Sequence, residues 1–246
     1  MKYKTVFISD IHLGSHASKS ADLLSFLNES SCDNLYIVGD FVDLWALRRT
    51  HYWDQNASNV MQKLLTLSRE GVNIVYIPGN HDEFCVNFFG SYGERIKICQ
   101  NTIHNCLNGK RLMVMHGHEF DFVIRNIKWL ALLGDIGYDI LLKVNNVFQK
   151  IRPLFTTSEW SLSNYVKQVV KKTVNVIGDF ENTVAHHAIT SEVEGVVCGH
   201  IHCPEHKIIS GIEYYNTGDW VENNTALVEH LDGRLEIIHY KPRHKK

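Results

Sequence analysis

The sequence predicts a layered α/β domain, and three observations carry that prediction. Five short apolar runs each end on glycine or a polar cluster: "TVFISD" (5–10), "LYIVGD" (35–40), "NIVYIPGN" (73–80), "RLMVMHG" (111–117) and "GVVCGH" (195–200). Each is nearly continuously apolar, the pattern of a strand buried on both faces. Helical spacing fills the gaps between the early runs, giving strand–helix–strand units and so a sheet covered by helices. Beyond residue 210 the style changes to alternating strands with tight turns.

In chain order, the first run leads to "SADLLSFLNES", where Leu23, Leu24 and Leu27 share a helical face. After the second run, "NVMQKLLTLSREG" has the same periodicity and stops at Gly71, a residue suited to a helix C-terminus. From about residue 120 to 188 the strands give way to two long helical patterns, "FVIRNIKWLALLGDIGYDILLKVNNVFQKIRPLF" and "SLSNYVKQVVKKTVNVIGDFENTVAHHA". We read these as a helical insertion or cap within a single domain spanning 1–246. The tail, "GIEYYNTGD", "TALVEHL" and "RLEIIHY", forms alternating strands, with an Asp232-Gly233 turn between the last two.

Composition narrows the function classes. Apolar residues make up 44% and charged residues 21%, an ordinary globular balance. A net charge of −2 gives no basic field for a nucleic-acid partner. The six cysteines form no C-x-x-C pair, and the N-terminus meets Asp10 and His12 too soon for a signal peptide or a membrane anchor. A soluble cytoplasmic protein with reduced thiols is expected. The 15 histidines are the unusual feature, because imidazole is the commonest metal ligand.

The chemistry-bearing residues stand at the ends of the five apolar runs: Asp10-x-His12, Gly39-Asp40-x-x-Asp43, Gly79-Asn80-His81-Asp82, His116-Gly117-His118 and Gly199-His200-x-His202. Any one of these alone reads as a turn, a cap or a solvated loop. In α/β sheets, however, ligands gather beyond the carboxyl ends of strands, so one folding event unites all five. Together they offer carboxylates, imidazoles and one carboxamide, and no thiolate. That donor set suits manganese, iron or zinc, and there are more ligands than one ion needs. Two ions sharing a carboxylate would use them and form a clamp for displacement at phosphorus.

The motif order D-x-H, G-D-x-x-D, G-N-H-D, H-G-H, G-H-x-H resembles the calcineurin-like metallophosphoesterases, from residue 5 to about 220. The resemblance implies a two-sheet β-sandwich flanked by helices with a dinuclear site at one end. It places Asp10, His12 and His202 on one metal, Asn80, His116 and His200 on the other, and Asp40 between them. His81 would be a general acid paired with Asp43, Asp82 a helix cap, and His118 a substrate-facing residue.

"MHGHEFD" (115–121), the insertion, "VCGHIH" (197–202) and "YYNTGDWVENNTALVEH" (214–230) are similar to the UDP-2,3-diacylglucosamine hydrolases of lipid A biosynthesis. That similarity implies two divalent ions, most simply manganese, and a lipid-linked sugar nucleotide as substrate. Contacts would come from Asn80, His81, His118, Asp121, Ser163, Lys167 and His200, with peripheral membrane contact through the insertion. Two alternatives remain open: the same chemistry on another nucleotide or phospholipid, and a non-catalytic scaffold. Position 81 carries the histidine of the general phosphoesterases, whereas the lipid-sugar hydrolases resemble G-N-R-D there, with Glu in place of Asp43.

Overall fold

A computed structural model describes residues 1–120 and 177–242. The chain divides into two compact units, Met1–His118 with Val184–Lys246, and Glu119–Thr183. Within the described part of the second unit, Phe120 and Phe180 meet edge to face, with ring centroids 6.4 Å apart. The larger unit carries every described residue of the five motifs.

Two sheets make up this unit. The first holds, in chain order, β1 (Thr5–Ile8), β2 (Asn34–Val38), β3 (Asn73–Ile77), β4 (Gly90–Tyr92), β5 (Ile96–Ile98), β11 (Thr225–Glu229) and β12 (Leu235–His239). Its spatial order is β12-β11-β1-β2-β3-β5-β4. The second holds β6 (Asn101–Asn105), β7 (Arg111–Met115), β8 (Gly195–Cys198), β9 (Glu205–Ile209) and β10 (Ile212–Asn216), in the order β6-β7-β8-β10-β9. Strands β1, β2, β3 and β5 run parallel, as do β7, β8 and β10. The chain is therefore mixed α/β with two sheets and flanking helices, as the motifs implied.

Alternation along the strands decides what packs where. On β1, Val6 and Ile8 face a core shared with Leu23, Phe26, Val60 and Leu64 of the helices, while Phe7 faces a second core between the sheets. There Phe7 meets Tyr36, Val38 and Ile77 of its own sheet and Leu112, Val114, Val197 and Tyr215 of the other. Fully burying such side chains contributes roughly 1.5–3 kcal/mol each. Helix α1 (Ser20–Glu29) follows the leucine spacing. Helix α3 (Gln55–Arg69) starts four residues before the apolar pattern, because Asp54 caps it by accepting the Ala57 N–H at 2.6 Å.

Several elements escaped the pattern. Helix α2 (Leu44–Thr50) is too short for periodicity to show, and β4, β5, β6 and β9 are short or partly exposed. Strand β11 is buried throughout rather than alternating. Ala226 and Val228 enter the helix-side core, Leu227 the inter-sheet core, and Thr225 and Glu229 join buried hydrogen bonds. Residues 177–190 are helical. All six cysteines are free. No helix among the described residues is long and apolar enough to cross a membrane.

Candidate metal centre

The five clusters occupy the loops leaving β1, β2, β3, β7 and β8, whose parallel pairing within each sheet sends these loops to a common edge. The backbone is bent unusually there. Asp10, His12, Asp40, His200 and His202 all have φ between 49° and 70°, the left-handed region that costs non-glycine residues roughly 1–3 kcal/mol each. Five such residues in one set of loops mark a site the surrounding fold must hold in place. Two motif glycines exist for close approach. A methyl on Gly79 would lie 2.2 Å from Asp40 Oδ1 and 2.6 Å from His116 Nε2, and one on Gly199 would lie 2.4 Å from Asp10 Oδ2.

The donor atoms fall into adjoining groups. Asp10, His12 and His202 each bring one within 4.8 Å of the others, and so do Asp40, His116 and His200. His202 Nε2 is 3.2 Å from Asp10 Oδ1, and His116 Nε2 is 3.5 Å from Asp40 Oδ1. Asp40 connects the groups, because its Oδ2 lies 3.7 Å from His12 Nε2. Asp10, Asp40, His12, His116 and His200 are buried, whereas the His202 side chain is 36% exposed.

Orientation comes from hydrogen bonds behind the donors. Asp10 Oδ2 accepts the His200 N–H at 2.9 Å, and Asp40 Oδ1 accepts the His81 N–H at 2.8 Å. The Nδ1–H of His116 donates to the Val38 carbonyl at 2.8 Å, which turns Nε2 inward. Asp10 Oδ1, His12 Nε2, Asn80 Oδ1 and His116 Nε2 are buried yet make no well-formed hydrogen bond among the described residues. Buried polar atoms are rarely left this way, and the Asp10, His12 and His116 atoms all belong to the two donor groups. Oxygen and imidazole donors so arranged fit divalent ions.

The electrostatics agree. Burial works to raise the Asp10 carboxyl, but the His202 and His116 imidazoles outweigh it and hold the group at about 2. Asp40 is likewise held well below the carboxylate range, against burial, by His116, His12 and His81. Burial works to lower His116, but the Asp40 and Asp10 carboxylates push it up to about 10. Each group is thus stabilised in its charged form by its neighbours.

His81 stands at the margin of this cluster. Asp43 Oδ1 is 3.0 Å from His81 Nδ1, while His81 Nε2 lies 3.9 Å from Asp40 Oδ2. Asp43 Oδ2 also lies 3.4 Å from His12 Nδ1. Against burial, the bonds to His12 and His81 and the Ala46 N–H keep Asp43 ionised, well below the ordinary range. His118 is near the second group, its ring centroid 5.4 Å from His116 and 6.5 Å from His200.

Asp82 departs from its expected role. It precedes a 3-10 turn (Glu83–Phe88) but makes no capping bond to it. Its carboxylate instead accepts N–H groups from Phe41 at 2.7 Å and Gly79 at 2.6 Å, and the Tyr76 hydroxyl. It ties the β3 loop to the β2 loop, and burial pushes its pKa up. Residues the motif reading left unassigned also serve the site. Asn216 donates to the Gly199 carbonyl at 2.7 Å, and Asn223 donates to the His202 carbonyl at 3.1 Å. Both belong to the quoted 214–230 stretch, but only tertiary contact reveals what an asparagine there supports. Asp121, Ser163 and Lys167 lie outside the described residues.

The profile of the calcineurin-like phosphoesterase family matches residues 3–204. The chain belongs to that family. It is 33% identical over 118 residues to a UDP-2,3-diacylglucosamine hydrolase of Photorhabdus laumondii, an alignment covering 46% of this chain and 47% of that protein. The chain thus spans about half the length of that relative. It is 24% identical over 248 residues to a UDP-2,3-diacylglucosamine hydrolase of Psychromonas ingrahamii, covering 96% of each. Among solved structures, an archaeal phosphodiesterase aligns over 96% of this chain and 98% of its own, at 14% identity and a TM-score of 0.47. As a calcineurin-like phosphoesterase, the chain is a metal-dependent phosphoester hydrolase, and the family implies two divalent ions.

Proposed function

We propose that this hydrolase cleaves the pyrophosphate bond of UDP-2,3-diacylglucosamine, or a close analogue, to UMP and a diacylated sugar 1-phosphate in lipid A biosynthesis. The observation that carries the hydrolytic reading is the cluster of inward-facing carboxylate and imidazole atoms with the His81–Asp43 pair beside it. The substrate is supported by the activity named for the bacterial relatives.

In this reading Asp10, His12 and His202 would hold one ion, Asn80, His116 and His200 would hold the other, and Asp40 would serve both. Manganese suits this oxygen and nitrogen set, as do iron and zinc. When bound, the two ions supply Lewis-acid polarisation of the phosphate oxygens and lower the pKa of water towards neutrality. The chain's own residues do the rest. Asp43 stays ionised 3.0 Å from His81 Nδ1, so Nδ1 keeps its proton towards the carboxylate and Nε2 is left to give a proton to the departing oxygen. Asn80, His118 and His200 line the place where the phosphate sits. Work at the cytoplasmic face of a membrane fits such a substrate.

A second reading keeps the chemistry and changes the substrate to another nucleotide or phospholipid. It is favoured by the His81–Asp43 pair, since a built-in proton donor serves any poor leaving group. Direct assay of UDP-2,3-diacylglucosamine against a nucleotide panel, with manganese and an Asn80→Ala control, separates the two. Turnover confined to the lipid-linked substrate supports the first reading, and turnover confined to the panel replaces it with the second.

A further inference from the structure

The mount of His81 is built from one turn of one short helix. Asp43, Leu44 and Trp45 are consecutive, and each engages His81 differently. Asp43 Oδ1 stands 3.0 Å from the ring's Nδ1. The Leu44 N–H donates to the His81 carbonyl at 3.2 Å. Trp45 lays its indole against the imidazole, with centroids 4.1 Å apart and planes tilted by 34°. His12 meets the same imidazole edge to face, at 4.6 Å and 89°. The mount is itself anchored, because Asp43 Oδ1 also accepts the Ala46 N–H at 2.7 Å and caps α2.

These contacts are not redundant. The Asp43 carboxylate beside Nδ1 restrains one atom of the imidazole and leaves the ring free to swing about it, because the terminal torsion of histidine is broad. Swinging moves Nε2, the atom that faces the reacting centre. A flat surface against the ring removes that freedom, and offset aromatic contact is its favourable form. Trp45 is otherwise a costly choice at this position, since it remains 55% exposed and buries little of itself. Its neighbours Arg48, Glu83 and Phe84 line an open cleft of about 410 Å³ shared with Asn80 and His81.

We propose that Trp45 is a positioning residue for His81, its indole holding the imidazole so that Nε2 addresses the departing oxygen. The proposal rests on the reading of His81 as the proton donor. A residue that acts through a proton donor matters in proportion to how badly the leaving group needs the proton. Misplacement of a reacting atom by about 1 Å is enough to cost roughly 100-fold.

The test measures kcat, KM and bound manganese for the manganese-loaded full chain and its Trp45→Ala, Trp45→Phe, His81→Ala and double variants. Two phosphodiesters are used: bis-p-nitrophenyl phosphate, with a good leaving group, and diphenyl phosphate, with a poor one. Trp45→Ala should lower kcat on diphenyl phosphate roughly 10- to 100-fold. On bis-p-nitrophenyl phosphate the loss should be small, with KM and metal content unchanged. Trp45→Phe should restore most of the loss, and Trp45→Ala should cost nothing further in the His81→Ala background. A rise in KM alone, equal losses on both substrates, loss of metal, or an additive double variant each overturns the proposal. If His81→Ala itself spares diphenyl phosphate, the proton-donor reading fails first and takes the proposal with it. If His81→Ala costs activity and Trp45→Ala does not, only the proposal fails.

Discussion

Two buried clusters of histidine and carboxylate sit in this unit, and they are finished differently. In the first, Glu229 on β11 accepts the Thr5 hydroxyl at 2.8 Å, the Leu107 N–H at 2.6 Å and His104 Nε2–H at 2.9 Å. His104 Nδ1 in turn lies 3.2 Å from the Tyr36 hydroxyl. Burial works to raise Glu229, but these hydrogen bonds bring it below the usual carboxylate range. In the second, Asp10, His12 and His116 are buried as well but keep inward atoms without well-formed hydrogen bonds among the described residues. By composition the first cluster could pass for a metal site too, since His104, Cys106 and Glu229 lie within 4.8 Å of one another. Yet its donor atoms are already in use, since both Glu229 oxygens accept hydrogen bonds and both His104 ring nitrogens have partners, while burial and the Glu229 charge push the Cys106 thiol up to about 12. Residue type and burial do not separate a strut between sheets from a site. Several unsatisfied donor atoms gathered in one cluster do.

Removing one carboxylate from each cluster tests that distinction most severely. Asp40→Ala should lower kcat/KM by at least roughly 10³-fold and release bound manganese, because the residue connecting both donor groups is gone. Glu229→Ala should leave manganese content intact and instead cost roughly 3–5 kcal/mol of unfolding free energy, since it strands a buried imidazole, a hydroxyl and an N–H. Metal analysis and urea denaturation of the two variants read both effects. Manganese lost from Glu229→Ala, or retained in full by Asp40→Ala, would erase the distinction.

The site itself is uneven, and a smaller substitution sharpens this. His202 is the exposed member of its donor group, and Asn223 holds its backbone through the His202 carbonyl. Supporting residues of this kind change metal affinity by roughly 10- to 100-fold. Asn223→Ala should therefore weaken one of two manganese binding events by that factor and leave the other near its original value. Isothermal titration calorimetry resolves them, and equal weakening of both would show that the two donor groups behave as one.

How much of this could be read from the chain follows from the same contrast. Strands β1, β2, β3, β7 and β8 were legible because burial on both faces leaves an unbroken apolar run. The seven proposed ligands were legible because each stands a few residues beyond such a run, where parallel strands must converge. Short α2 was not legible, although it carries Asp43 and Trp45 to His81, because seven residues cannot express a helical period. Asp82 turns out not to be a cap because one of its partners, the Phe41 N–H, stands 41 residues away beyond another strand, where no local pattern announces it. His104 and Glu229 lie 125 residues apart, and no local signal announces such a bond. Local order is written in periodicity; pairing between distant polar residues becomes visible only when the sheets meet.

The two clusters should also part company at alkaline pH, in protein stripped of metal by chelation. The His116 pKa is raised from an ordinary 6.5 to about 10 by the Asp40 and Asp10 carboxylates, against burial. Its contribution to stability is complete below about pH 6.5 and is lost as pH rises towards 10. Glu229, lowered from 4.5, and Asp10, lowered from 3.8 to about 2, contribute only on the acid side, where stability falls as they take up protons. Both clusters therefore share the acid limb, while the alkaline limb belongs to the metal site. Chelated protein should lose thermal stability steadily between pH 6.5 and 9.5, by several degrees if the shift is worth even 1–2 kcal/mol. Manganese-loaded protein should show little loss over that window, because bound histidine is already neutral. His116→Asn, chelated, should lose distinctly less over that window, the remainder being carried by His202, which the Asp10 carboxylate also raises against burial. A chelated wild type that loses no more stability than the variant would mean that His116 carries no proton at neutral pH, and that its charge does not help hold the open site together.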